Sequence, residues 1–140
     1  DAQWPGVPSA VFEAFAEQLD RDPESCLQRF QALQVKGDGD ATKELKRLRR
    51  HCAEPAGGID HATLAATLAW LRDWDMRAAL ANLTSPVLSL LGDGDALVPS
   101  VLAERFGANV HVERIAGMGH YPGCHAAPRI AALIGDWWQA

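Results

Sequence analysis

The chain lacks the patterns that define several large classes of protein. It contains no run of 18 apolar residues, so we expect no membrane span, and no basic-then-apolar leader, so we expect no signal peptide. It has no Cys-x-x-Cys or His-Glu-x-x-His motif, and its five histidines lack the spacing of zinc ligands, so no metal site is predicted. Its net charge of −5 argues against a general affinity for nucleic acid.

Cysteine is scarce, with residues at Cys26, Cys52 and Cys124 only. An odd number without framework spacing favours reduced thiols and therefore a cytoplasmic location. The 140 residues are 48% hydrophobic and 22% charged, a composition typical of a globular protein. The length suits one ordinary domain.

The first 80 residues carry only helical periodicity. Four short helices are predicted: 9–19, one that starts at Asp22-Pro23-Glu24, 41–52, and one capped by Asp60. Each of three helices has an apolar face, formed by Val11, Phe12, Phe15 and Leu19, by Leu27, Phe30 and Leu33, and by Leu64, Leu68 and Leu71. We expect the last of these sets, Leu64, Leu68 and Leu71, to point inward.

After residue 80 the pattern becomes strand, helix, strand, helix. The predicted elements are strands 86–91 and 110–115, a short helix 101–106, and a last helix 128–138 with Ile130, Leu133, Ile134 and Trp137 on one face. A strand, a crossover helix and a second strand form a parallel pair with a right-handed connection. Two strands are too small a sheet to be stable alone, so this α/β segment is predicted to be the edge of a larger sheet.

Two charged turns follow the two strands, Gly92-Asp93-Gly94-Asp95 and Gly117-Met118-Gly119-His120. In neighbouring parallel strands these turns begin about 5 Å apart, and ligands bind at this edge of open α/β sheets. We therefore expect an Asp and a His to hydrogen-bond, the carboxylate holding the imidazole in one tautomer. Asp93 and Asp95 are both candidates for the acid in the first turn, and His120 is the histidine of the second turn.

Three other residues remain as alternatives at this edge. Asp93 has similar turn chemistry to Asp95, and His125 is a rival that can instead cap the last helix. A Cys124–His120 pair is disfavoured because no helix N-terminus or basic cluster activates the thiol. Asp95 and His120 also have structural interpretations, as a turn aspartate and as a hydrogen-bonded structural histidine.

The spacing of Pro86, Gly92, Asp95, Val98 and Pro99, followed by Gly-x-Gly-His-x-Pro, resembles the acid and histidine strands of α/β-hydrolases. In that fold the order is Ser, acid, His, and the resemblance makes Asp95 the acid and His120 the base. None of the serines lies in Gly-x-Ser-x-Gly; they are Ser9, Ser25, Ser85, Ser89 and Ser100. The resemblance thus implies a partial α/β-hydrolase fold, with a helical cap at 1–80 and the last β-α-β-α of the parallel sheet at 81–140. The serine nucleophile and the oxyanion hole are expected on a missing N-terminal half of roughly a hundred residues.

A narrower resemblance comes from Trp4-Pro5-Gly6, the run from Arg29 to Gln34, and Asp75-Met76-Arg77. These segments are similar to the carboxylesterases of biotin synthesis that hydrolyse the methyl ester of pimeloyl-acyl carrier protein. The resemblance implies serine esterase activity, no metal or organic cofactor, and acyl carrier protein as a partner. It implies that His120 contacts the substrate together with a stretch of the second helix, Phe30, Gln31, Ala32, Leu33 and Gln34. For Leu33, packing within the cap is an equally good interpretation.

The same resemblance assigns carrier-protein docking to Arg29, Lys43 and Lys46. Ser25 and Thr42 occupy positions where that family has basic residues, and cations near a helix C-terminus also complement its dipole. Two other functions stay open. One is a different capped α/β-hydrolase, a carboxylesterase or thioesterase; the other is a non-catalytic fragment that binds acyl carrier protein.

Overall fold

Helices form the first part of the chain, and two strands with further helices form the second. The computed structural model describes residues 4–52 and 60–139. The helical part contains α1 (Ser9–Arg21), α2 (Pro23–Gln34), α3 (Ala41–Cys52), α4 (His61–Asp73) and α5 (Arg77–Ala81). The mixed part contains β1 (Val87–Gly92), a 3₁₀ helix (Ser100–Arg105), β2 (Val110–Ile115) and α6 (Ala127–Gln139). None of the helices in these described residues is long and apolar enough to cross a membrane.

Two aspartates start helices as the sequence predicts. The Asp22 carboxylate accepts a hydrogen bond from the Ser25 amide at 3.1 Å, with Pro23 in the first turn of α2. The hydrogen bonds from Ser25 lower the pKa of the Asp22 carboxyl below its usual value. Asp60 caps α4 in the same way through the Thr63 amide at 2.9 Å. Each side chain satisfies an amide that has no partner within its helix.

The helical part packs through narrow apolar strips. The Phe15 and Phe30 rings join α1 to α2 with centroids 5.5 Å apart. A cavity of about 190 Å³ remains between α1 and α4, lined in part by Phe12, Leu19 and Leu68. The two ends of this part also meet, because the Arg77 guanidinium lies 5.0 Å from the centroid of the Trp4 ring.

Several residues on the predicted apolar helix faces are exposed. Leu71 is 77% exposed, and Val11, Leu33 and Ile134 are also exposed. Periodicity marks the whole apolar face of a helix, whereas within the described residues only a strip of that face meets a neighbouring element. The inward prediction is therefore wrong for Leu71.

The predicted parallel pair of strands is confirmed. The register runs from Val87 opposite Val110 to Gly92 opposite Ile115. A buried cluster of Ile115, Met118, Ala126 and Leu133 joins the end of β2 to α6. The predicted short helix after β1 is a 3₁₀ helix. The five-residue α5 was not predicted, because it is too short to show a helical period.

The connection between α2 and α3, residues 35–40, lies against the turns that follow both strands. The Gly39 amide donates to the Gly117 carbonyl at 3.0 Å. Gly37 has a φ of 84°, and a Cβ at this position would overlap the Gly94 carbonyl. Glycine is required here by its positive φ and by the close approach of the two backbones. The helical part is thus joined directly to the edge of the sheet that carries Asp95 and His120.

Candidate active site

Asp95 lies in the turn after β1, where two backbone amides hold its carboxylate. Its Oδ1 accepts hydrogen bonds from the Leu97 amide at 2.7 Å and the Val98 amide at 2.9 Å. Its Oδ2 lies 2.9 Å from Nδ1 of His120. The Asp95 side chain is only 7% exposed. Three hydrogen bonds therefore fix a nearly buried carboxylate in one orientation.

His120 lies in the turn after β2 and directs one ring nitrogen at that carboxylate. Because an ionised carboxylate can only accept, Nδ1 carries the proton and Nε2 is left as the basic nitrogen of the neutral ring. The His120 side chain is 39% exposed, so a reactant has access to it. This arrangement can take a proton at Nε2 and stabilise the resulting imidazolium through Asp95.

Close backbone packing brings the two turns together. Gly92 ends β1 directly beneath the second turn, where a Cβ would lie 2.6 Å from the Gly119 carbonyl oxygen. The Gly94 amide donates to the Met118 carbonyl at 3.1 Å. Glycine at position 92 lets the acid turn and the histidine turn approach within side-chain hydrogen-bond distance.

The structure gives the alternative residues different surroundings. The Asp93 Oδ1 accepts a hydrogen bond from the Gly117 amide at 2.8 Å, so Asp93 joins the two turns. The Nδ1 of His125 lies 3.5 Å from Oδ1 of the buried Asp38, in the connection between α2 and α3. Cys124 is exposed. In the part of the chain that the structure describes, it is Asp95, and none of these three alternatives, that is hydrogen-bonded to His120.

The predicted substrate-binding stretch ends beside the histidine turn. Phe30, Gln31, Ala32 and Gln34 are partly buried, whereas Leu33 is exposed. The Gln34 carbonyl accepts a hydrogen bond at 2.8 Å from the Tyr121 amide, directly after His120. The stretch thus extends from the contact of Phe30 with α1 to the neighbourhood of the candidate base.

The predicted docking residues lie on the surface of α2 and α3. Arg29, Lys43 and Lys46 are all exposed. Lys43 Nζ lies 3.8 Å from an Asp40 carboxylate oxygen, an exposed and therefore weak ion pair. Arg47 differs, because its guanidinium turns inward to Glu44 at 2.6 Å. The basic surface of α3 therefore depends on its other cations.

Sequence reasoning missed two buried carboxylates near the site, Asp38 and Glu44. Asp38 belongs to a glycine-rich break between helices, and Glu44 is the one acid in a basic run. Neither context signals burial, yet both residues are buried. The described residues contain no group of three or more His, Cys, Asp or Glu side chains that could hold a metal ion.

Solved structures place this arrangement in a known fold. An esterase from Exiguobacterium antarcticum superposes with a TM-score of 0.76 at 19% identity, covering 96% of this chain and 50% of that one. A bromoperoxidase from Bacillus anthracis gives a TM-score of 0.79 at 21% identity, with the same coverage. The chain has a partial α/β-hydrolase fold, as the sequence predicts.

Comparison with curated protein sequences narrows the resemblance from a fold to a group of esterases. The chain is 36% identical over 135 residues to a pimeloyl-[acyl-carrier protein] methyl ester esterase of Stenotrophomonas maltophilia, covering 94% of this chain and 52% of that protein. A protein of the same name from Sodalis glossinidius is 36% identical over 138 residues, covering 95% of this chain and 53% of its own length. The chain thus resembles these esterases, as predicted, and spans about half the length of the curated relatives it matches. No family model matches the chain.

Proposed function

We propose that the chain supplies the acid and the base of a serine carboxylesterase, with Asp95 as the acid and His120 as the base. The observation that carries this proposal is the 2.9 Å hydrogen bond between Asp95 Oδ2 and His120 Nδ1, at the carboxyl ends of two parallel strands. The similarity to methyl ester esterases supports the same reaction class. The nucleophilic serine would come from an N-terminal half that precedes this chain.

The proposed reaction has two steps. His120 Nε2 removes the serine proton as the serine oxygen attacks the ester carbonyl, and the protonated ring then gives that proton to the departing methanol. In the second step His120 activates water, which releases the free carboxylate and restores the serine. Throughout, Asp95 keeps the ring oriented and stabilises its positive charge.

The proposed substrate is the methyl ester of pimeloyl-acyl carrier protein, as in the names of the curated relatives. We assign residues 1–80, the helical part, as a cap over the active site. This cap would exclude water and hold the acyl chain along Phe30–Gln34. Arg29, Lys43 and Lys46 would attract the acidic carrier protein. The three cysteines are all free thiols, which supports a cytoplasmic enzyme.

The test uses this chain joined to the N-terminal half of the Stenotrophomonas maltophilia esterase. His120→Ala and Asp95→Asn should each lower kcat by about three to four orders of magnitude, because the ring is lost in one and its orientation in the other. Asp93→Asn is the matched control, and His125→Ala tests the rival histidine. Asp93→Asn keeps an oxygen that can accept from the Gly117 amide, so a far smaller effect is expected from both.

If Asp93→Asn is the more damaging aspartate variant, the assignment of the acid is wrong by two residues. If none of the four variants lowers kcat, the assignment of the acid and the base to this chain is refuted. In that case the remaining function is a non-catalytic fragment that binds acyl carrier protein.

A second candidate is a capped carboxylesterase or thioesterase with another substrate. The observation that favours it is the loss of basic residues at Ser25 and Thr42, next to the proposed docking positions. Comparing kcat/KM for the pimeloyl ester on its carrier protein with that for small esters and thioesters separates the two candidates.

A further inference from the structure

The five residues after His120 are held by the helical part of the molecule rather than by the sheet. We call residues 121–125 the histidine strap. The Tyr121 amide donates to the Gln34 carbonyl at 2.8 Å. Immediately before His120, a Cβ on Gly119 would lie 3.0 Å from the carbonyl oxygens of Gln34 and Lys36. The backbone on both sides of His120 therefore rests on the end of α2.

Glu44 of α3 lies directly against the middle of the strap. It is fully buried, with a side-chain exposure of 0%, and its Oε1 pairs with Arg47 at 2.6 Å. A Cβ on Gly123 would lie 2.7 Å from the Cγ and Cδ atoms of Glu44. The carboxylate thus fills the space that a larger residue would need at position 123.

Asp38 contacts the end of the strap. Its side chain is also fully buried, and its Oδ1 lies 3.5 Å from Nδ1 of His125. The same oxygen accepts a hydrogen bond from the Asp40 amide at 2.8 Å, which fixes the carboxylate within its own loop. The strap is therefore anchored to the helical part at Tyr121, Gly123 and His125.

Removing two carboxylates from water costs free energy, because each loses its hydration. Residues that break the local rules of folding at such a cost are concentrated at functional sites. Here both carboxylates contact one short segment, and that segment begins at the residue after the candidate base.

We propose that Glu44 and Asp38 are positioning residues for His120, acting through the histidine strap. The proposal rests on the function proposed above, because it assigns them to the orientation of the catalytic base. Asp95 fixes one ring nitrogen, and the strap fixes the backbone from which the ring projects. Since the predicted substrate-binding stretch ends at Gln34, a shift of the cap displaces the base as well.

The primary test follows the imidazole rings of the 140-residue chain in long-range ¹H–¹⁵N NMR spectra. A ring held as the Nδ1–H tautomer gives two widely separated ¹⁵N shifts, and a ring released from its orientation gives averaged shifts. His125→Phe and Gly123→Ala should each move the His120 shifts towards the average. The His111 ring, which stacks on Trp137 and lies 3.1 Å from Glu113, serves as an internal reference.

A suppressor variant makes the test specific to Glu44. Gly123→Ala places a Cβ where the Glu44 side chain lies, so Glu44→Ala removes the clash in the double variant. The double variant should restore much of the His120 signal that Gly123→Ala disturbs. His125→Asn should move the His120 shifts less than His125→Phe does, because asparagine retains a hydrogen-bond donor. Asp40→Ala removes an exposed carboxylate of the same loop and should leave His120 unchanged.

In the completed enzyme, His125→Phe should lower kcat for a small ester by about one to two orders of magnitude with little change in KM, because small displacements of a reacting group act on the transition state. Unchanged His120 shifts in both His125→Phe and Gly123→Ala would overturn the proposal. It would also be overturned if the His111 and His120 signals always change together, since the variants would then act on the whole fold. The NMR readout needs no esterase activity, so it can fail or succeed independently of the proposed reaction.

Discussion

Two aspartates of one turn, only two positions apart, have different surroundings in the folded chain. Asp95 is hydrogen-bonded to His120, whereas Asp93 is bonded to the Gly117 amide of the neighbouring turn. The resemblance to α/β-hydrolases, carried by the spacing of Asp95 to Val98 and Pro99, is what favours Asp95 from sequence. The partner of Asp93 was not predictable, because it depends on how closely the second turn approaches the first. Turn chemistry identifies residues that end a strand, but tertiary packing decides which of them meets the histidine.

The three thiols should differ in reactivity. Cys26 is buried, its Sγ lies 3.8 Å from the Phe15 carbonyl oxygen, and burial raises the pKa of its thiol above the usual value. Less thiolate forms at a given pH, and the reagent has no access to it. In the native chain at pH 8 we expect iodoacetamide to modify Cys52 and Cys124 rapidly and Cys26 only after denaturation. Peptide mass spectrometry over time measures the three rates.

Cys26→Ser is the control for that experiment, because it should leave the two rapid reactions unchanged. Equal rates at all three positions in the native chain would show that α1 and α2 do not pack as described.

Among the elements, α3 has a basic outer surface and an acidic residue on its inner face. Arg49, Arg50 and Lys46 are exposed, whereas Glu44 and Leu48 are buried. The sequence predicted the basic surface from the local excess of cations. It gave no reason to place Glu44 inside, because a single acid in a basic helix is usually a solvent-exposed ion-pair partner.

The exposed cations of α2 and α3 should act in carrier-protein docking. In the completed enzyme, Arg29→Glu with Lys46→Glu should raise KM for the acyl-carrier substrate and flatten its dependence on salt. The physical reason is that surface charges outside a binding core act mainly on the rate of encounter, through a field that salt screens. Hydrolysis of a small soluble ester should stay nearly constant.

A matched control changes the same number of charges elsewhere. Arg114 and Arg129 are exposed cations of β2 and α6, and reversing both should leave KM for the acyl-carrier substrate much closer to that of the unmodified enzyme. If the docking variant impairs both substrates equally, the basic face is structural. If it impairs neither, these cations are simply solvated, and the choice between the biotin esterase and another capped hydrolase reopens.

The starts of elements were more predictable than their inward faces. Asp22 and Asp60 cap their helices through local hydrogen bonds that a short stretch of sequence determines. Whether Leu71 and Ile134 are buried or exposed depends instead on what lies opposite each helix, and periodicity alone carries no information about that. The strand pair was predictable for a third reason, since a right-handed crossover leaves little choice of topology.

For the whole molecule, the exposed apolar surface is large relative to the sheet. The sheet of the described residues has two strands, and Trp74, Leu71 and Trp138 are 64%, 77% and 87% exposed. Leu71 and Trp74 line a groove of about 730 Å³, with Trp4, Met76 and Phe106 also in its walls. Contiguous apolar surface of this kind marks a contact region, which fits a chain that spans half of its structural neighbours.

We therefore expect the 140-residue chain to be only weakly stable alone. Ordinary domains melt between about 45 and 65 °C, and a two-stranded sheet with uncovered apolar faces buries too little surface to reach that range. Circular dichroism should show a broad transition below about 45 °C, with the midpoint rising when an N-terminal half is joined. A cooperative transition of the monomer above about 65 °C would contradict this account.

The chain alone should also lack esterase activity, although Asp95 and His120 are already hydrogen-bonded. His120 and Asp95 can move a proton, but covalent ester hydrolysis requires a nucleophile at Nε2 and donors that stabilise the oxyanion. No serine of this sequence lies in a Gly-x-Ser-x-Gly turn, and within the described residues no serine is hydrogen-bonded to His120. Hydrolysis of p-nitrophenyl butyrate by the purified chain should therefore not exceed that of a His120→Ala control. Clear turnover that a serine-directed phosphonate abolishes would show that one of its own serines is the nucleophile.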